Sequence, residues 1–251
     1  MRHITHHPEA VPTVVKTSTY HKIADLIGVV HRYTDVGAIT GPSGIGKSFL
    51  TERLAQETGC ETVYVSLPGK PARREALVAI LKEITGKFHN SEGVVLRGEL
   101  EDLLAERPRI IIVDEVHRVD DVVLDQLSHL HSHEDAKWTL ILVGAPKLAD
   151  KLKRYEHLRS RCDRILSLPR LEGDELVSAV RQLHPWFAHA PQELLLEIDV
   201  QHAHGSFREW VRFLRTVADI KQETRETSST LTRDLAAAAA SRRIYGGQPP
   251  S

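Results

Sequence analysis

The chain has 251 residues, 41% hydrophobic and 27% charged, with a formal net charge of −1. This is enough for one sizeable core with a small attached domain, and it excludes a global basic field, so any polyanion must be held by a local patch. Two cysteines, Cys60 and Cys162, exclude a disulfide framework and suit no zinc site.

The opening "MRHITHHPEAVPTVV" lacks the apolar core of a signal peptide. Residues 1–20 read as an extension. Strands are then expected at "VGAIT" (36–40), "ETVYVSL" (61–67), "RIIIVD" (109–114), "WTLILVG" (138–144) and "DRILSL" (163–168). Between them, "REALVAILKEI", "VVLRGELEDLLAE" and "VVLDQLSHL" carry apolar residues three or four apart, as helices do. Strands alternating with helices imply right-handed βαβ units, hence an α/β core with a parallel sheet over 21–168. Apolar runs such as "IIIV" and "LILV" are too short to span a bilayer. A cytoplasmic protein with no membrane partner is expected.

After Pro169 strand signals stop, and helices are expected over roughly 173–184, 191–204 and 206–223. The spacing Ser206-x-x-Glu209 is that of a capping box. The segment 169–222 reads as a small helical domain. Residues 223–251 contain an alanine run able to form a helix, but few large apolar residues, and read as a partly disordered tail.

The chemistry begins at Gly41-Pro42-Ser43-Gly44-Ile45-Gly46-Lys47-Ser48, a phosphate loop that follows a strand and opens a helix. Its glycines let several backbone N–H groups face the phosphates of ATP, with contacts running on to Phe49. Lys47 neutralises the β/γ oxygens and the Ser48 hydroxyl ligates Mg²⁺. The strand "RIIIVD" ends in Asp114 and Glu115. Asp114 suits a metal-bound water and Glu115 a base that polarises attacking water, which points to hydrolysis rather than transfer to a second substrate.

Three basic features follow. "KLADKLKRYEHLRSRCDRILSL" leads into the last strand; such runs are most often solvated helix faces, but an arginine here can reach a neighbouring subunit's γ-phosphate. Arg208, in the first turn of its helix, can reach a bound nucleotide. The loop "SLPGKPARREAL" sets Lys70, Arg73 and Arg74 around a helix start, able to hold DNA backbone phosphates without reading sequence. His129, His131 and His133 lie two apart on a helix and diverge, so they suggest no metal site.

In order and spacing these features resemble the AAA+ ATPase superfamily over roughly residues 20–222. The resemblance implies a five-stranded parallel sheet of order 5-1-4-3-2 with a helical lid. It makes 41–48 Walker A, Asp114-Glu115 Walker B, Arg161 in "RSRC" an arginine finger, and Arg208 in "GSFR" a sensor 2. The phrases "GAITGPSGIGKS", "IIIVDEVHRV" and "LILVGAPKLADKL" are similar to the Mu B, TnsC and TniB-type transposition ATPases and the ExeA-like ATPases. That branch implies a homo-oligomer or filament on duplex DNA with a transposase as partner. Where many members carry a polar sensor 1, this chain has Gly144-Ala145, which implies slow hydrolysis.

The function expected is therefore an ATP-dependent, DNA-binding regulator of transposition. Alternatives are a helicase loader or a secretion-linked ATPase of the same fold, and a small-molecule phosphotransferase, which leaves Arg161 and the lid unexplained. "DEVH" also suggests a DExH helicase, but the chain has no room for a second motor domain.

Overall fold

The computed structural model describes residues 14–67, 69–133, 136–154 and 162–244. The chain divides into two units, Thr19–Pro42 with Lys47–Pro169, and Met1–Ser18 with Ser43–Gly46 and Arg170–Ser251.

The first unit holds five strands: β1 (Val36–Thr40), β2 (Glu61–Ser66), β3 (Arg109–Asp114), β4 (Trp138–Gly144) and β5 (Cys162–Ser167). They form one parallel sheet of order β2-β3-β4-β1-β5, the expected order read from the opposite edge. Every residue of β3 and β4 is buried, which is why both read as unbroken apolar runs. The edge strand β2 instead alternates, burying Val63 and Val65.

Among the described residues, the helices of this unit are α1 (Ser18–Tyr33), α2 (Lys47–Glu57), α3 (Arg73–Thr85), α4 (Gly93–Glu106), α5 (Asp121–His131) and α6 (Lys147–Arg154). Leu77, Leu81, Leu96, Leu100 and Leu127 recur at helical spacing in the same core as Ile111, Val113 and Leu140. α3 starts with the Ala72 N–H donating to Glu75 Oε2 at 2.9 Å, the carboxylate half of a capping box. At the base of the sheet, Arg109 is buried and its Nε donates to Glu61 Oε2 at 2.9 Å across the pair Glu61↔Arg109. This bond ties the β2–β3 register to a specific charge pair.

The second unit contains α7 (Gly173–Leu183), α8 (Pro185–Ala188), α9 (Gln192–Ile198), which runs into a π-helical turn (Asp199–Ala203), α10 (Phe207–Thr224) and α11 (Arg233–Ile244). Trp210 is its central side chain, edge-on to Phe187 and Phe213 at centroid distances of 5.5 and 6.1 Å. The reciprocal cap expected at α10 forms by half. Ser206 Oγ accepts from the Glu209 N–H at 3.4 Å, whereas the Ser206 N–H donates to the Ala203 carbonyl at 2.9 Å.

The segment read as tail also differs from expectation. Leu231, Leu235, Ala236 and Ala239 are buried in the helical unit's core, and Arg242 pairs with Glu223 through bonds of 3.1 and 2.6 Å. Alanine contributes little area but permits close helix approach, so a count of large apolar residues undervalues this segment.

Candidate functional site

The parallel sheet brings two chemistries to one edge. β1 ends at Thr40, level with Gly144 of β4, and β3 ends one position beyond the last β3–β4 pair, Val113↔Leu142. Neighbouring strands lie about 4.8 Å apart. With only β4 between them, the segment after β1 and the carboxylates after β3 therefore leave the sheet about 10 Å apart.

After β1 the chain turns sharply, with φ of 84° at Gly44 and 91° at Gly46, values that favour glycine. It enters α2 at Lys47, so α2 presents its N-terminal dipole end to the loop. Lys47 is only 9% exposed, and its Nζ donates to the carbonyls of Gly41 at 2.8 Å and Pro42 at 2.6 Å. The ammonium is thus held inside its own loop by two uncharged acceptors. Ile45 is buried and anchors the turn, Ser48 is half-buried beside Lys47, and Phe49 is exposed.

At the end of β3, Asp114 is buried and both its oxygens are engaged. Oδ1 accepts from the Glu115 N–H at 2.7 Å, and Oδ2 accepts from the Tyr64 hydroxyl on β2. Glu115 adopts φ 60°, ψ 24°, a left-handed conformation costing a non-glycine residue about 1–2 kcal/mol. The Asp114 bond and an Arg118 N–H to Glu115 carbonyl bond of 2.9 Å hold it there. The Glu115 carboxylate meets Arg118 Nε at 3.0 Å, and both side chains are substantially exposed. Pairs of this kind are worth about 0–1 kcal/mol, so Glu115 is restrained weakly.

The 3₁₀ turn Val116–Arg118 places His117 against the end of β4. The Ala145 N–H donates to His117 Nδ1 at 3.2 Å, and His117 Nε2 lies 3.7 Å from Glu115 Oε2. Burial pushes the imidazole pKa below its ordinary value, with Arg118 and Lys47 acting the same way and Glu115 and Asp114 opposing. The neutral ring is the form that can accept at Nδ1.

No group of three or more His, Cys, Asp or Glu stands at metal-binding distance among the described residues. His129 and His133 are exposed, while the His131 ring packs edge-on to Trp138 at 5.1 Å. A hydroxyl and one carboxylate, Ser48 and Asp114, nevertheless fit Mg²⁺, which keeps several waters and takes few protein ligands alongside phosphate oxygens. The Lys47 ammonium and the N–H groups at the start of α2 fit a polyphosphate.

In the second unit, which includes 43–46, Arg208 Nη1 donates to Ser43 Oγ at 2.8 Å and the Arg208 N–H to the Gly44 carbonyl at 3.2 Å. Ser206 packs so closely on Gly44 that a Cβ there would lie 2.2 Å from its Oγ. The start of α10 is fixed by buried Asp199, whose Oδ1 accepts from the Gly205 N–H at 2.9 Å and from Trp210 Nε1 at 3.0 Å.

Lys70 and Arg73 are exposed ahead of α3, while Arg74 is turned onto Asn90 Oδ1 at 2.9 Å and the Ser91 carbonyl at 3.1 Å. Arg161 lies outside the described residues. Tyr64, His117 and Asp199 were not foreseen as site residues. The only signal for His117 was its place in "DEVH", and a tyrosine inside a strand or an aspartate inside a helical run carries no signal of its own.

Residues 30–152 match a family described as the AAA domain. The chain is 25% identical over 206 residues to mouse ATPase family gene 2 protein homolog B, covering 76% of this chain. The rat protein of that name is 24% identical over 208 residues. The chain spans about a quarter (26%) of the length of these two relatives. Among solved structures, it resembles the Aeropyrum pernix ORC2 protein with ADPNP and ADP (20% identity, TM-score 0.67, 94% of this chain and 70% of that one). It also resembles the Thermotoga maritima RuvB branch migration motor (18%, 0.60, 92% and 70%) and Drosophila ORC bound to DNA (17%, 0.66, 96% and 64%). At these identities the structural likeness establishes the fold, which is the AAA+ P-loop fold. The AAA domain match, over just under half of the chain, agrees with that fold.

Proposed function

We propose that this chain is an ATPase that binds ATP with Mg²⁺ and works as an oligomer on duplex DNA. The observation that carries the reading is the pairing of Lys47, buried at the start of α2, with Asp114-Glu115 at the end of β3, one strand away. Lys47 exchanges its bonds to the Gly41 and Pro42 carbonyls for phosphate oxygens. Asp114, with both oxygens oriented by Tyr64 and the Glu115 N–H, is set to hold a metal-bound water. Mg²⁺, when bound, neutralises charge on the β- and γ-phosphates. Glu115 takes the proton of the attacking water, and its weak restraint by Arg118 leaves it free to turn there. Arg161 supplies the charge that completes a neighbouring subunit's site.

ORC and RuvB, the latter a Holliday junction branch migration motor, support DNA as the track. Lys70 and Arg73, with Arg74 beside them, form the backbone contact. The finer reading, regulation of transposition by filaments that recruit a transposase and disassemble on slow hydrolysis, rests on the three sequence phrases named above. A helicase-loader or secretion-linked role shares the same site, and only the partner separates these.

The test is sedimentation with duplex DNA and a slowly hydrolysed ATP analogue. Large assemblies only when both are present support the reading, and a monomer under every condition contradicts it. Lys47→Ala is expected to abolish analogue binding and assembly together.

A further inference from the structure

The end of β4 has no room for a polar side chain. A Cβ at Gly144 would lie 3.0 Å from Leu148 Cδ2 and 3.2 Å from the backbone nitrogen of His117, so a side chain there would displace the turn that carries Glu115's neighbours. The neighbours there are the Leu148 side chain and the His117 backbone, and the His117 side chain is 20% exposed. Its ring spans from the Ala145 N–H, bound at Nδ1, to Glu115, faced by Nε2. Because Nδ1 accepts, Nε2 carries the proton and is a donor aimed at the carboxylate. The charged groups that act on the ring are Glu115, Arg118, Asp114 and Lys47, so the ring is within electrostatic reach of the reaction's cation, its carboxylates and the restraining arginine.

We propose that His117 is the positioning residue for Glu115, bridging the end of β4 to the water-activating carboxylate in place of a polar side chain on β4. The inference rests on the ATPase reading above. In this structure the carboxylate is held by Arg118 at 3.0 Å, and the 3.7 Å to Nε2 exceeds hydrogen-bond length. Rotation of the Glu115 side chain away from Arg118 closes that gap. The carboxylate then has a fixed donor on a ring that is itself anchored to the sheet.

The experiment compares steady-state ATP hydrolysis and equilibrium ATP affinity for the wild-type protein, Glu115→Gln, and the His117→Ala, His117→Gln and His117→Asn variants. Loss of a positioning group is expected to lower kcat about 10- to 100-fold in His117→Ala, with ATP affinity unchanged. Glutamine places an amide N–H where Nε2 stands and restores most of the rate. Asparagine can accept from Ala145 but is too short to reach Glu115, and stays with alanine. Wild-type kcat in His117→Ala, or equal rescue by asparagine and glutamine, overturns the inference. If His117→Ala does not fold, the glutamine and asparagine pair decides alone. Turnover that is lost in Glu115→Gln but intact in His117→Ala removes only this inference, whereas no turnover by the wild type removes the ATPase reading and this inference with it.

Discussion

Glu115 combines backbone strain with chemistry. Its left-handed φ of 60° is held by the Asp114 carboxylate, which accepts from the Glu115 N–H at 2.7 Å, so the strain is maintained by the residue proposed above to hold the metal-bound water. Glycine tolerates this conformation, and Glu115→Gly is therefore expected to be more stable than Glu115→Ala by about 1 kcal/mol in denaturant unfolding, with hydrolysis lost in both. Equal stabilities would mean that the strain is relieved elsewhere. Gly144 is constrained from the opposite side, by contact rather than by φ. Gly144→Ser is expected to lose about 1–3 kcal/mol, read in the same experiment, because Leu148 and the His117 backbone must move. His117 adds a pH dependence. Its folded pKa lies below the ordinary 6.5, so on acidification the unfolded chain takes up a proton first. This contribution to stability is intact above pH 6.5 and declines as pH falls from there toward the folded pKa. Removing the imidazole in His117→Gln should flatten that part of the thermal stability profile.

The elements show what the sequence made legible and what it did not. β3 and β4 were plain because strands buried on both faces are apolar through their middles, and their ends followed from Asp114 and Gly144. The phosphate loop was plain because glycine spacing, lysine and helix start are one local motif. Tyr64 and His117 were obscured because their roles depend on strand neighbours: β2 beside β3, and β4 beside the turn after β3. Those adjacencies are set by the whole sheet. Asp199 was hidden for a different reason, since a buried carboxylate that accepts Gly205 and Trp210 N–H groups looks in sequence like any helical acid. α11 was undervalued because most of its core residues, Ala236 and Ala239 beside Leu235, are alanines. Ala239 is fully buried, so Ala239→Asp should place an uncompensated carboxylate in the helical unit and cost several kcal/mol. An unfolding midpoint equal to wild type would show that α11 is dispensable to that core.

At the scale of the molecule, the net charge of −1 forces any DNA contact to be local. Exposed Lys70 ahead of α3 and exposed Arg73 at its first position are available, while Arg74 is committed to Asn90 and Ser91. Two available cations imply a salt slope reduced by about 2 in the Lys70→Ala/Arg73→Ala double variant, with little added by Arg74→Ala. An unchanged slope would place the DNA elsewhere. The most direct test of the central claim, that Lys47, Asp114 and Glu115 form an ATP-hydrolysing site, is phosphate release measured alongside ATP affinity in the wild type and in Glu115→Gln. The account predicts turnover in the wild type, and a loss of about 100-fold or more in Glu115→Gln with affinity preserved. Equal phosphate release from the two proteins, or none from the wild type with or without DNA, would contradict it.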